Sequence, residues 1–166
     1  MLSDAAMRQA ISKHGNRVRR ICMLHLKNYA DVEDIFQNVF LKYALMDGAF
    51  ENYNHEKAWI IRVTLNECRD LLKSYYRKHR SAIPLEDLID TVDIQPDYKE
   101  LLQAVLSLPV KYKNVIYLYY YEGYSVDEIS RILRRNVNTV YTHLTRARNI
   151  LRKELEGMEE EYGQDG

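Results

Sequence analysis

A turn of three polar residues between two short apolar helical patterns constrains this chain more than any other feature. Ser125-Val126-Asp127-Glu128 reads as a capping box, in which the Ser125 hydroxyl takes one orphan amide of a first helical turn and Glu128 reaches back to another. Ile129, Ile132 and Leu133 give that helix an apolar side. Arg134-Arg135-Asn136 then interrupts the pattern, and Val137, Val140, Leu144, Ala147 and Leu151 restart it at spacings of three and four. So short a connection fits a helix-turn-helix. Opposite the second seam, at about 100° per residue, stand Asn138, Thr142, Thr145, Arg146, Asn149 and Arg152, with hardly an acid beside them. Such a face suits a DNA major groove, where Asn, Thr and Arg read base edges and phosphates together. The competing reading is a plain αα-hairpin with a polar outside, but surface helices ordinarily mix Glu with their Lys and Arg.

The charge pattern extends the argument to the whole chain. Over 166 residues the formal charge is zero, yet the zero conceals four alternating blocks. Residues 1–80 carry net +5, 81–110 net −5, 111–153 net +6 and 154–166 net −6. Two basic bodies are thus joined by an acidic connector and followed by an acidic tail, a domain-level asymmetry that favours nucleic acid despite a neutral total. The connector, 81–97, holds Pro84 and Pro96 with Glu86, Asp87, Asp90 and Asp93, and reads as a linker. The expected organisation is a first domain over 1–80, the linker, a helix-turn-helix domain over 98–155 and a tail over 156–166. No β-pattern is visible, so the fold class is all-α, with two small helical domains.

Several classes are disfavoured. No apolar run approaches the roughly 18 residues of a membrane span, and the N-terminus lacks a charged-then-apolar layout, so a cytoplasmic protein is expected. Cys22 and Cys68 sit on separate apolar patterns and read as core thiols. Cys22-Met23-Leu24-His25 could offer two metal ligands on one turn, but no second pair completes a site. No metal, cofactor or small-molecule substrate is expected. Asp31, Glu33 and Asp34 could suggest a hydrolase, yet they stand at a helix N-terminus, where acids offset the macrodipole, and nothing completes a catalytic set. The chain is therefore expected not to be an enzyme.

The first basic body predicts a helix from about Glu56 to Arg80. Its apolar face is Ile61, Thr64, Leu65, Cys68, Leu71, Leu72 and Tyr75, and beside it Arg62, Asn66, Arg69, Lys73, Tyr76 and Arg80 form a straight stripe, with Trp59 and Arg77 adjacent. Cations, an amide and a ring in a row suit phosphates and unpaired bases. A preceding helix, Asp31 to Leu45, buries Val32, Ile35, Phe36, Val39, Phe40 and Tyr43. Directly opposite lie Leu41 and Leu45, ringed by Asp34, Gln37 and Asn38. Leucines at the centre of a face that should be wet suggest a protein docking surface, or else packing under another segment of the same domain.

These three features, in this order, resemble the bacterial RNA polymerase sigma factors of the extracytoplasmic-function type. Asp31-Val32-Glu33-Asp34-Ile35-Phe36-Gln37-Asn38-Val39-Phe40-Leu41 resembles their polymerase-binding helix, and Lys57-Ala58-Trp59-Ile60-Ile61-Arg62-Val63 with Asn66 resembles their promoter-melting, −10-reading helix. Leu108-Pro109, Tyr112, Val115-Ile116, Tyr119 to Glu122, Ser125, Glu128-Ile129, Thr139-Val140, Leu144 and Arg146-Ala147-Arg148 resemble their −35-reading domain. The likeness covers about residues 10–155. It implies core RNA polymerase and promoter DNA as partners, and it leaves room for an anti-sigma factor. Asp34, Gln37, Asn38 and Leu41 would meet a coiled coil of the polymerase clamp. Trp59, Arg62, Asn66, Arg69, Lys73 and Tyr76 would serve −10 recognition and melting, with the loop from about Met46 to His55 capturing a flipped base. Arg135, Asn138, Thr139, Tyr141, Thr142, Thr145, Arg146 and Arg148 would serve the −35 element. The chain departs from the family at Tyr141 and His143, where Arg or Lys is common, and its Arg135-Asn136 turn lacks a glycine-like pivot, so no −35 sequence carries over. A dimeric helix-turn-helix regulator on a palindromic operator would use the same second domain, but it predicts a dimer surface and a sensor pocket where this chain has a basic stripe.

Overall fold

The computed structural model describes the backbone of residues 2–78 and 99–163, with side chains for 2–74 and 99–157. The predicted linker over 81–97, and Arg80 at the end of the stripe, lie outside those residues. Seven α-helices and one π turn occur among the described residues, without a strand. The chain divides into two compact units, Met1–Ile83 and Pro84–Gly166.

The first unit is three helices, each packed on the other two: α1 (Asp4–His25), α2 (Tyr29–Leu45) and α3 (Tyr53–Lys78). All three start on side-chain caps, which satisfy amides that a first turn leaves without partners. Ser3 Oγ accepts from Ala6 N at 3.2 Å, Asn28 Oδ1 from Ala30 N at 2.8 Å and Asn52 Oδ1 from His55 N at 2.8 Å. Asn28 caps α2, which opens at Tyr29, two residues before the expected Asp31. Asn52 opens α3 at Tyr53 instead of Glu56, so the loop between them is Met46 to Asn52, shorter than the expected stretch to His55. The core joins Val18, Ile21 and Cys22 of α1 to Val32, Ile35, Val39 and Phe40 of α2 and Ile60, Ile61 and Leu65 of α3. Burying each such aliphatic side chain contributes about 1.5–3 kcal/mol before chain entropy is counted. Cys22 and Cys68 are both buried thiols with Sγ atoms 3.9 Å apart, and the Cys22 contact, with burial added, pushes the Cys68 thiol well above its ordinary range.

Helix α1 has no counterpart in the sequence reading. Its buried seam runs Ala10, His14, Gly15, Val18, Ile21, Cys22 and His25, and the histidines and glycine within it hide the apolar period.

The second unit comprises α4 (Lys99–Leu106), α5 (Val110–Ile116), a π turn at Tyr117–Tyr121, α6 (Val126–Leu133) and α7 (Val137–Gly163). Leu108, Val115, Leu118, Ile129, Ile132, Val140, Leu144 and Ala147 form its interior. The capping box is present in full: Ser125 Oγ accepts from Glu128 N at 3.2 Å, and Glu128 Oε1 from Ser125 N at 3.1 Å. The chain reaches that cap through Gly123 at φ +76°, a left-handed angle that costs glycine nothing. After α6, the pivot of the turn is Arg134 at φ 53°, where a residue with a Cβ pays about 1–2 kcal/mol. Ser130 offsets this by donating to Arg135 O at 2.5 Å and accepting Arg135 N at its carbonyl, 3.0 Å. Asn136 then opens α7, accepting from Asn138 N at 2.8 Å. Helix α7 continues to Gly163, through most of the stretch expected as a tail after residue 155.

Candidate nucleic-acid interface and docking face

The second helix of the helix-turn-helix, α7, buries Val140, Leu144 and Ala147 and half-buries Val137 and Leu151. That seam fixes its rotation. Asn138, Thr142, Thr145, Arg146, Asn149 and Arg152 are all exposed, together with Arg135, Tyr141 and Arg148, whereas Thr139 is half-buried. Two hydrogen bonds run within the row: Thr142 Oγ1 donates to Asn138 O at 2.9 Å, which leaves its oxygen as an acceptor, and Arg152 Nη2 donates to Asn149 Oδ1 at 3.2 Å. His143, on the opposite flank, stacks edge-on against Tyr112 with centroids 5.5 Å apart. Burial first, then Lys111, Arg135 and Arg146, holds its imidazole below the ordinary histidine value, so a cation is disfavoured there until an anion arrives.

On α3, Asn66, Arg69 and Lys73 are exposed and Arg62 is half-buried. The side chain of Tyr76 lies outside the described residues. The stripe is less free of acids than its composition suggested, since Arg69 Nε lies 3.6 Å from Asp70 Oδ1. Both groups are exposed, so that pair is weak and easily exchanged for another anion. Trp59 lies one turn before Arg62 on α3. It is half-buried against Tyr43 and Phe50, with centroids 6.0 Å and 5.7 Å away, and Phe50 also meets Tyr43 at 5.8 Å and His55 at 5.4 Å. Phe50 thereby anchors the short loop before α3 on an aromatic cluster.

Beneath the cluster lies a polar network absent from the sequence reading. His14, fully buried, places Nε2 3.1 Å from Glu56 Oε1, and Tyr43 Oη donates to the same oxygen at 2.9 Å. Arg17 Nη1 lies 3.2 Å from His14 Nδ1. Guanidinium offers only donors, so Nδ1 accepts and Nε2 carries the N–H that donates to Glu56. Burial, outweighing Glu56, keeps the His14 pKa below its ordinary value. Burial and the Glu56 bond push the Tyr43 phenol up to about 12. The sequence trace of this network is Tyr43, the one side chain with a polar atom in an otherwise apolar seam.

The face of α2 opposite its core seam is exposed, as the spacing predicted. Asp34, Gln37 and Asn38 are exposed, and Leu41 and Leu45 are 56% and 61% exposed, uncovered by any described segment of their own unit. Among the described residues no group of His, Cys, Asp and Glu could hold a metal ion, and no helix is long and apolar enough to cross a membrane.

Residues 10–82 match the family model of sigma-70 region 2, and residues 98–151 that of sigma-70 region 4, so together the models span more than half of the chain. RNA polymerase sigma factor SigV of Bacillus subtilis is 28% identical over 160 residues, covering 92% of this chain and 93% of that protein. ECF RNA polymerase sigma factor SigW of the same organism is 26% identical, with 90% and 89% covered. Among solved structures, the sigma factor RpoE of Bartonella quintana, in complex with the anti-sigma factor NepR, shares the fold at a TM-score of 0.69 and 20% identity, covering 90% of this chain and 96% of that one. CnrH in complex with the cytosolic domain of CnrY does so at 0.66 and 24%, covering 93% and 90%.

Proposed function

The chain belongs to the sigma-70 family of RNA polymerase sigma factors, of the extracytoplasmic-function type, and from that premise we propose how its residues divide the work of promoter recognition. The face of Asp34, Gln37, Asn38 and Leu41 docks on core RNA polymerase. The exposed row of α7 enters the −35 major groove, Arg146 and Thr142 reading bases while Arg135 and Arg148 hold phosphates. The α3 stripe of Arg62, Asn66, Arg69, Lys73 and Tyr76, with the loop anchored by Phe50 and Trp59, captures bases of the melted −10 element. Unstacking a base costs a few kcal/mol, which these contacts must offset. The chain supplies binding and placement, not covalent chemistry, and works with the polymerase in the cytoplasm. Bartonella quintana RpoE was solved with an anti-sigma factor, and a partner of that class belongs to the proposal here.

The observation that supports this reading most strongly is that DNA-suited rows stand exposed on two separate units of one chain that also exposes Leu41 and Leu45. Purified chain added to core polymerase should yield transcripts starting at one position on a cognate promoter. Binding of a palindrome by a dimer without polymerase, and no transcripts, would refute it.

Two further results are expected. Arg146→Ala and Thr142→Ala should reduce the preference for matched over scrambled −35 DNA by about 1–3 kcal/mol, whereas Arg135→Ala should weaken both equally and lower the salt slope by about one unit. Equal losses on both DNAs for all three variants would remove base readout from α7. Asn66→Ala and Arg69→Ala should leave polymerase assembly normal but reduce open-complex formation, less so on a template already mismatched across the −10 region. Permanganate reactivity of duplex and pre-opened promoters measures this, and normal opening in both variants would make the stripe a merely solvated face.

A further inference from the structure

Arg148 sits on the second unit but outside the row that faces bases. At about 100° per residue it falls on the flank of α7 between the core seam and the row of Asn138, Thr145 and Asn149. Its guanidinium is held by tyrosines. Nε donates to the Tyr120 hydroxyl at 2.6 Å, and the guanidinium carbon lies 5.4 Å and 5.5 Å from the ring centres of Tyr119 and Tyr120. Those rings meet edge to face, 5.0 Å apart. They belong to the π turn at Tyr117–Tyr121, which is itself braced: Tyr117 stacks on Tyr121 at 5.3 Å and donates to Glu122 Oε1 at 2.6 Å. Tyr120 is 59% exposed, so the hydroxyl and the guanidinium meet at the surface.

The chemistry of the holder indicates what the held group is for. A carboxylate would fix Arg148 equally well and cancel its charge. A phenol fixes it and leaves the charge whole, and engagement of Nε leaves the terminal N–H groups for a second partner. Restricting a long side chain beforehand removes part of the ordering cost that binding otherwise carries. A fixed cation that meets no carboxylate among the described residues, beside a base-reading row, fits one ligand class, the phosphodiester backbone. We propose that Tyr120 is a positioning residue for promoter binding, holding Arg148 ready for a backbone phosphate at the edge of the −35 site, so that the interface starts on the tyrosine turn outside the helix-turn-helix. The proposal rests on the reading that α7 lies on DNA, and it adds a residue that acts through another.

The test uses holoenzyme, assembled from core polymerase and the full chain, binding duplex promoter fragments with matched or scrambled −35 sequence across a salt series. Tyr120→Phe removes only the hydroxyl and should weaken both complexes about fivefold, the scale of one ordinary hydrogen bond, without changing the salt slope, since no charge is lost. Arg148→Ala should weaken both and lower the slope by about one unit. The double variant should bind no worse than Arg148→Ala alone. Two results would overturn the proposal while leaving Arg148 on the DNA: an unaffected Tyr120→Phe beside a weakened Arg148→Ala, or additive losses in the double variant, which would make Tyr120 a direct contact. An inert Arg148→Ala overturns it too. The wider reading of α7 fails separately, only when Arg146→Ala also leaves −35 preference unchanged.

Discussion

Leu41→Glu should lower the affinity of the chain for core RNA polymerase by about 30- to 1,000-fold, the range expected when a central apolar anchor becomes a charge that an interface must desolvate. The chain itself should hardly notice. Leu41 is exposed on the far side of α2 from Val32, Ile35, Val39 and Phe40, and a substitution at such a position ordinarily moves stability by no more than about 0.5 kcal/mol. Co-elution with core polymerase reads the first quantity, and urea unfolding followed by circular dichroism reads the second. Loss of helicity in Leu41→Glu would show that another part of the chain covers this face in solution. Full assembly with intact helicity would place the polymerase contact elsewhere. Leu45, 61% exposed one turn further along, should show a smaller loss of the same kind if the anchor is Leu41.

The largest expected effect on stability is at Glu56. Replacing it with Ala leaves the His14 Nε2–H and the Tyr43 hydroxyl, both neutral donors, without their acceptor in the first unit, at a cost of about 1–3 kcal/mol for each stranded donor. Glu56→Gln keeps an oxygen in place and should cost less than half as much. The network also shapes the pH dependence, and the two shifts act at opposite ends. The His14 pKa lies below its ordinary 6.5 in the folded chain. Below that value the unfolded chain binds a proton that the folded one refuses, so stability is full above 6.5 and falls as the solution is acidified towards the folded pKa. The Tyr43 pKa is raised from 10.0 to about 12. Its contribution is full below 10 and is lost as pH rises towards 12, because only the unfolded chain then gives up the proton. Urea midpoints should therefore be highest between about pH 7 and pH 10, and Tyr43→Phe should flatten the alkaline limb alone. A midpoint that stays level from pH 7 down to 5 would mean that His14 is not kept neutral.

What could be read from the residues was whatever repeats locally. The capping box at Ser125, the seam from Val137 to Leu151 and the misplaced leucines of α2 each depend on neighbours within a turn or two, and the structure places them as the spacing requires. The buried network depends on residues 42 positions apart in the case of His14 and Glu56, a pairing that no local period announces. Helix α1 escaped for a related reason, since its seam is completed by His14 and His25, side chains that a polarity pattern assigns to water. The π turn was illegible because a run of tyrosines fits any register, and only the backbone bond from Glu122 N to Tyr117 O, 3.1 Å, declares the wider one. The candidate site divides along the same line. Exposed rows on α3 and α7 follow from the helical period, whereas the tyrosine hold on Arg148 and the aromatic hold on Trp59 come from residues brought together by folding.

Trp59 is the single tryptophan of the chain, and its place against Tyr43 and Phe50 gives the protein a native optical reporter. Excitation at the red edge of indole absorption selects this one site among 14 tyrosines, so emission wavelength and lifetime will describe the environment of the first unit without any label. Because Phe50 is both a neighbour of the indole and the anchor of the loop before α3, a loop drawn away by an unpaired base would expose one edge of the ring to solvent. Stopped-flow emission on promoter DNA could then time base capture separately from −35 engagement, to which the indole is silent.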